Sequence, residues 1–291
     1  MTDPINRRHA AIALLSLAGG HRLAQAQAQA PAQTAAPLEI GVLPNISART
    51  LLTQYQPMRE YLARELKRPV QVSTAPNWTT FHRRTLALDY DMVVTGSHLA
   101  RIAQLDAGLQ PLLLYAPDIK GLFAHLSQRP VKQVNELRGQ TLVLSNPQSL
   151  VSLRGMQWLA ENGLQRDRDF KLINVPTDDN VGNVLVRGDA QFAMLSGGEY
   201  RAIPEALRTQ VQVMTSFAEV PGFVVMASPR LKAAEAAALK EQLLGFANRS
   251  DEGKAFFAAT GFTGMRELPA GLMASMDPYN AATRTVLAAL P

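Results

Sequence analysis

Leu142-Val143-Leu144-Ser145-Asn146-Pro147-Gln148-Ser149-Leu150 turns the chain from a strand into a helix. The three apolar residues at its head read as a buried strand, and Pro147 marks the break. After the break, Leu150, Leu153, Met156, Trp158 and Leu159 recur at helical spacing. Ser149 fits the N-cap, because its hydroxyl can accept from a first-turn amide. A helix start that opens into a cleft presents unpaired amides and about half a positive charge, a ready site for a carboxylate, phosphate or sulfate. The same loop serves equally well to end a strand, so the surrounding chain has to decide.

Residues 1–30 read as an export signal. Arg7 and Arg8 form a basic start, and Ala10 to Ala18 give a short apolar core. Three overlapping small-x-small sites then run from Ala24 to Ala30. The apolar stretch is far shorter than the roughly 20 residues that span a bilayer. The paired arginines leave both general and twin-arginine export open, although His9-Ala10-Ala11 continues the twin-arginine pattern poorly. Residues 31–37 read as a disordered lead-in. The chain contains no cysteine, which excludes disulfides, thiolate chemistry and a lipid-bearing cysteine at the cleavage region. The mature protein is therefore expected to be soluble, exported, periplasmic and not membrane-embedded.

The leader carries three arginines (Arg7, Arg8, Arg22) against one aspartate (Asp3), so its loss lowers the formal charge from +5 to +3. No clustered basic stripe with aromatics stands out, and nucleic-acid binding is not expected. No metal cluster, nucleophile–base pair or phosphate loop stands out either. An enzyme is thus not expected, and no cofactor is.

Beyond residue 37, strands and helices alternate. Strands are expected at Leu38 to Leu43, Val70 to Ser73, Asp91 to Val94, Gln110 to Tyr115 and Leu122 to Ser127. The helices between them run over Leu51 to Leu66, Thr79 to Leu88 and His98 to Leu105. A second cycle opens near Val131. It holds the Leu142 strand and the Leu150 helix, strands at Lys171 to Val175, Gln191 to Leu195, Val211 to Thr215 and Phe223 to Ala227, and a helix from Asn180 to Val186. Ser228-Pro229 reads as the N-cap and first residue of a closing helix, and Gly261 as a helix stop. Such alternation implies α/β architecture with mainly parallel sheets covered on both faces.

Thr95-Gly96-Ser97-His98 falls at the carboxyl end of a strand, where open α/β sheets hold ligands. Gly96 permits close backbone approach, and Ser97 is expected to cap the following helix. A lone histidine at a helix start, such as His98, also fits plain surface. Asn45 and Ser47 hold the matching place after the first strand. The Met and Tyr residues of the first helix read as core.

In order and spacing, several segments resemble the periplasmic solute-binding proteins of the phosphate/phosphite/phosphonate ABC-transporter group. They are Ile40-Gly41-Val42-Leu43-Pro44, Gln56-Pro57-Met58, Tyr61-Leu62, Tyr90 to Gly96, Asn135 to Gly139, Asn146 to Ser149, Arg187 to Ala193 and Val220-Pro221-Gly222. The resemblance covers about residues 38–290. It implies a two-lobed type II periplasmic-binding-protein fold with the ligand cleft between the lobes. Residues 38–127 and 217–291 would form lobe one, and 128–216 lobe two. It further implies a monomer that captures a small-molecule solute and meets an ABC permease transiently. A ligand-presenting sensory module for a membrane-bound receptor is the alternative.

The ligand positions are where this chain departs from the group. An acidic residue, proline, any residue and Ser-Thr-Ser-Gly in the phosphonate binders become Asn146, Pro147, Gln148, Ser149, Leu150, Val151 and Ser152. Trp78 takes the place of an aromatic, usually tyrosine, and Asp178, beside Asp179, that of a histidine. A later acidic residue falls near Gly198 or Glu199, and an aspartate becomes Phe223. A carboxylate about 4 Å from an anionic ligand costs about 4 kcal/mol at an effective dielectric near 20. Each lost hydroxyl donor removes about 1 kcal/mol more. A dianionic phosphonate is thus disfavoured, and a neutral or zwitterionic organic solute is expected, with an amine or hydroxyls toward Asp178 and Asp179. Both aspartates equally fit a solvated helix start. The ligand-binding set is then Asn45, Trp78, Thr95, Gly96, Ser97, His98, Asn146, Ser149, Asp178, Asp179 and Glu199.

Overall fold

Two sheets organise residues 36–175 and 178–289, which the structure, a computed structural model, describes. The leader expected at 1–30 and most of the lead-in lie outside the described residues. The chain begins with β1 (Leu38–Val42), α1 (Ala48–Leu66), β2 (Val70–Ser73), α2 (Trp78–Leu86), β3 (Met92–Gly96), α3 (Ser97–Ala107) and β4 (Gln110–Ala116). Next come β5 (Ile119–Leu126), β6 (Thr141–Leu144), α4 (Leu150–Glu161), β7 (Lys171–Asn174), α5 (Val181–Arg187), β8 (Phe192–Ser196), α6 (Gly197–Ala202), α7 (Glu205–Arg208) and β9 (Val211–Val220). It ends with β10 (Phe223–Ala227), α8 (Ala233–Arg249), α9 (Asp251–Thr260), β11 (Gly264–Arg266) and α10 (Asn280–Ala289).

The first sheet has the order β11-β4-β10-β3-β1-β2 and the second β7-β6-β8-β5-β9. Successive strand residues point to opposite faces, so each sheet buries two cores. In β3, Met92 and Val94 join Ile40, Met58 and Leu62 under α1, α8 and α9. Val93 points the other way, toward Phe81, Leu99 and Ala103 of α2 and α3. In β8, Phe192 and Met194 pack with Leu142 and Leu159, while Ala193 and Leu195 pack with Val181 and Leu185. The continuous apolar runs seen in the sequence are strands covered on both sides. In α1, the three- and four-residue spacing of Leu51, Tyr55, Met58 and Leu62 forms one buried stripe. Each such side chain contributes about 1.5–3 kcal/mol by leaving water.

The sheets are mixed and not mainly parallel. β1 pairs parallel with β2 and β3, and β6 with β7 and β8. By contrast, β10 inserts antiparallel between β3 and β4, and β5 antiparallel between β8 and β9. β5 and β10 each follow directly on a crossing between the sheets, and so run against the strands of the βα units. Because β5 belongs to the second sheet, the chain leaves the first at Pro117-Asp118 and not after residue 127. It returns at Pro221-Gly222 and not after 216. The two crossings touch: a Cβ on Gly222 would lie 2.3 Å from the Tyr115 carbonyl oxygen, so only glycine fits there.

Ser228-Pro229 does not start the closing helix. Leu231 N–H donates to the Ser228 carbonyl at 3.1 Å, closing a turn, and α8 begins only at Ala233, after Lys232. Farther on, Met273 joins the core of the first sheet and Met276 that of the second, so the segment ahead of α10 ties both lobes. The bidentate pair Arg101–Asp277 holds that segment against α3, and Arg284–Asp106 holds α10 there. No described helix is long and apolar enough to cross a membrane.

Candidate functional site

The parallel strands of both sheets aim their carboxyl ends at one cavity of about 510 Å³, as open α/β sheets do with ligand sites. Asn45 follows β1, Gly96 ends β3, Ser145 follows β6 and Ser196 ends β8, and all four line it.

On the first lobe, Asn77 caps α2 by accepting from Thr80 N–H at 2.7 Å. The cap presents Trp78 to the cavity, with its indole N–H held by the Pro44 carbonyl at 3.1 Å. Gly96, Ser97 and His98 also line it. Ser97 is not the cap expected of it: β3 continues to Gly96, which pairs with Phe223, so Gly96 takes the N-cap and no side chain caps α3. Ser97 is instead the first helical residue, 1% exposed, and its hydroxyl has no partner among the described residues. His98, also 1% exposed, is no surface histidine. Its Nε2 lies 2.8 Å from the Gln148 carbonyl of the second lobe, and burial lowers its pKa to about 4. Thr95 does not line the cavity; it lies within β3 opposite Val224, 2% exposed. Ser47 caps α1.

On the second lobe, Ser149 caps α4 as expected, accepting from Ser152 N–H at 3.0 Å and donating to Ser152 Oγ at 2.9 Å. Asn146 Oδ1 accepts from Gln148 N–H at 2.9 Å, which shapes the turn. Asn146, Ser149, Leu150, Val151 and Asp178 line the cavity, and so does Phe223 from the first sheet. Asp179 follows Asp178 in a short 3-10 turn, and its side chain lies outside the described residues. Glu199 lines the wall while serving α6: its carboxylate accepts from Ser196 N–H and Ser145 Oγ, both at 2.5 Å. Burial pushes that carboxyl above the usual range, and the bonds from Ser145 and Ser196 oppose the shift.

Three features escaped the sequence reading. Tyr55 and Tyr115 share a hydroxyl contact of 3.3 Å at the cavity's edge, and burial pushes the Tyr55 phenol up to about 12. Gln148, next to the cavity and 3% exposed, donates through Nε2 to Thr79 Oγ1 of the first lobe at 3.0 Å. Arg201 donates to the Gly261 carbonyl at 3.1 Å, where α9 ends in the left-handed conformation expected of Gly261. Helical spacing marked Tyr55 as core, which it also is; no local signal pointed to the two contacts across the cleft.

Two mixed α/β lobes around a cleft at their strand ends define a type II periplasmic-binding-protein fold. The chain belongs to the family described as ABC transporter, phosphonate, periplasmic substrate-binding protein, whose model matches residues 40–270. Similar solved structures include PhnD1 of Prochlorococcus marinus in complex with methylphosphonate. It has a TM-score of 0.76 and 12% identity, over 85% of this chain and 98% of that one. A binding-protein component of an ABC phosphonate transporter from Pseudomonas aeruginosa matches with a TM-score of 0.73 and 12% identity, over 86% and 88%. XAC2383 from Xanthomonas citri, bound to ATP, matches with a TM-score of 0.70 and 20% identity, over 88% and 99%. At these identities the likenesses concern the fold.

Proposed function

We propose that this protein is the exported solute receptor of an ABC importer, closing its lobes on a small organic solute and presenting it to a membrane permease. The solute is neutral or zwitterionic, and not a dianionic phosphonate. The observation that carries this reading is the charge on the cavity wall. Asp178 and Glu219 stand there against Lys120 and Arg201, while Asp118 is paired with Arg266 at 2.7 Å and burial shifts Glu199 toward its neutral form, so the wall has no excess of cations to hold a dianion. Leu150 and Val151 add apolar surface beside the one hydroxyl of Ser149 that remains from the family's donor cluster. A cavity near 510 Å³ suits a small solute.

Calorimetry with methylphosphonate and phosphite tests the reading. Binding is expected no tighter than about millimolar, or about −4 kcal/mol. Combining Asp178→His with Leu150→Thr and Val151→Ser should strengthen it, by restoring donors and removing a like charge. Micromolar methylphosphonate binding by the native protein would overturn the charge argument while leaving the receptor role intact.

A further inference from the structure

Beside the two crossings the cavity wall carries apolar side chains that are not fully buried. Ile119 directly follows the crossing at Pro117-Asp118, and Phe223 directly follows the one at Pro221-Gly222. Phe262, just past α9, joins them, with its ring 5.7 Å from that of Phe223 and 5.4 Å from that of Tyr115. Tyr115 is 1% exposed and forms the base of the cluster. Ile119, Phe223 and Phe262 are half-buried, so part of each stays open to the cavity.

The polar groups nearest this patch are already engaged. The Tyr55 and Tyr115 hydroxyls meet each other at 3.3 Å, and burial raises both phenols. Asp118, beside Ile119, pairs with Arg266 at 2.7 Å, and Arg201 donates to the Gly261 carbonyl beside Phe262 at 3.1 Å. Lys120 and Glu219 are register partners on the other face of β5 and β9 from Ile119. The patch therefore presents hydrocarbon, and a further ring could join Phe223 and Phe262 at the tilted spacings that aromatic pairs prefer. Elsewhere in the same cavity the half-buried Asn45, Asn146 and Ser149 present polar atoms at the strand ends. We propose that Ile119, Phe223 and Phe262 form a subsite for a hydrocarbon or aryl group, and that the solute is amphipathic, with its polar head toward Asn146 and Ser149. The proposal rests on the receptor reading above and adds the chemical class of the solute's other end.

The test uses the mature protein with isotope-labelled phenylalanine and two series of probes: acetamide, butanamide and benzamide, then glycine, L-valine and L-phenylalanine. In at least one series affinity should rise about fourfold for each methylene buried. Its larger members should move the Phe223 and Phe262 ring resonances in a saturable way. Phe223→Asn should cut the gain per methylene by at least half; a gain that survives in a folded variant would overturn the subsite. Should that variant not fold, the native series and its ring resonances decide alone. Flat affinity along both series, or binding that leaves both rings unmoved, would overturn the subsite and keep the receptor role. If no probe binds, the subsite falls. If a wider solute screen also leaves Trp78 fluorescence unchanged, the receptor reading falls with it.

Discussion

His98 on the first lobe donates its Nε2–H to the backbone carbonyl of Gln148 on the second, across 2.8 Å. Gln148 reaches back with its side chain to Thr79 Oγ1 at 3.0 Å, and Arg201 to the Gly261 carbonyl makes a separate tie across the cleft. These contacts hold the lobes against each other, and hinge opening would exchange each of them for water.

Gln148→Ala removes the bond to Thr79 while sparing the carbonyl that His98 uses. One net hydrogen bond is worth about 1 kcal/mol, so the open form should gain about fivefold in population. Small-angle scattering of the unliganded variant should show a larger radius of gyration than the native protein, and an unchanged radius would show that this contact does not govern closure.

Burial lowers both His82 and His98 from 6.5 to about 4. The folded protein therefore binds fewer protons than the unfolded chain between these values. Stability should be full above about pH 6.5 and fall as the pH drops toward 4, by up to about 1.4 kcal/mol per pH unit and group. Glu199, raised by burial, works in the opposite sense and loses stability as the pH rises above the normal carboxyl value. Urea unfolding along a pH series should show a shallower acid slope in His98→Asn than in the native protein; equal slopes would assign the loss to other groups.

Glu199→Ala strips the acceptor from Ser196 N–H and Ser145 Oγ at once. Two partly buried donors left unpaired should cost about 2–4 kcal/mol, measured as a lower urea midpoint. Glu199→Gln, which keeps one acceptor, should lose less.

Trp78 lines the cavity, whereas Trp158 stacks on Phe217 at 5.4 Å within the second lobe's core. Any solute that enters the cleft should change the intrinsic fluorescence, and Trp78→Phe should abolish most of that change. A signal that survives the substitution would place the solute elsewhere.

Gly261→Ala should destabilise the protein by about 1 kcal/mol or more, because its φ of +79° disfavours a side chain. The added Cβ would also fall on the Arg201 guanidinium, 2.1 Å from Nη2. Scattering should therefore show a loosened cleft, and a melting temperature equal to the native one would contradict both effects.

Local pattern alone determined most of the elements and several caps of this protein. The three- and four-residue spacing of Tyr55, Met58 and Leu62 forces an amphipathic helix, although its first buried residue is Leu51 and not Leu52; Ser149 and Gly261 mark helix ends through chemistry that acts within one turn. The parallel βα units were legible for the same reason, and with them the strand ends where ligands gather. Contacts between residues far apart in sequence were not. That β5 pairs in the second sheet depends on partners about 70 and 90 residues away, and a strand's own residues do not say which sheet it joins. Ser97 was expected to cap α3 because Ser is a good cap in isolation; pairing of Gly96 with Phe223 moved the helix start by one residue and left the hydroxyl without a partner. His98 was read as a ligand-binding residue that plain surface would fit as well; tertiary packing buries it against the Gln148 carbonyl, fifty residues on. Hydrogen-bond partners across the cleft follow from how two separately folded sheets meet, and only the tertiary structure decides that.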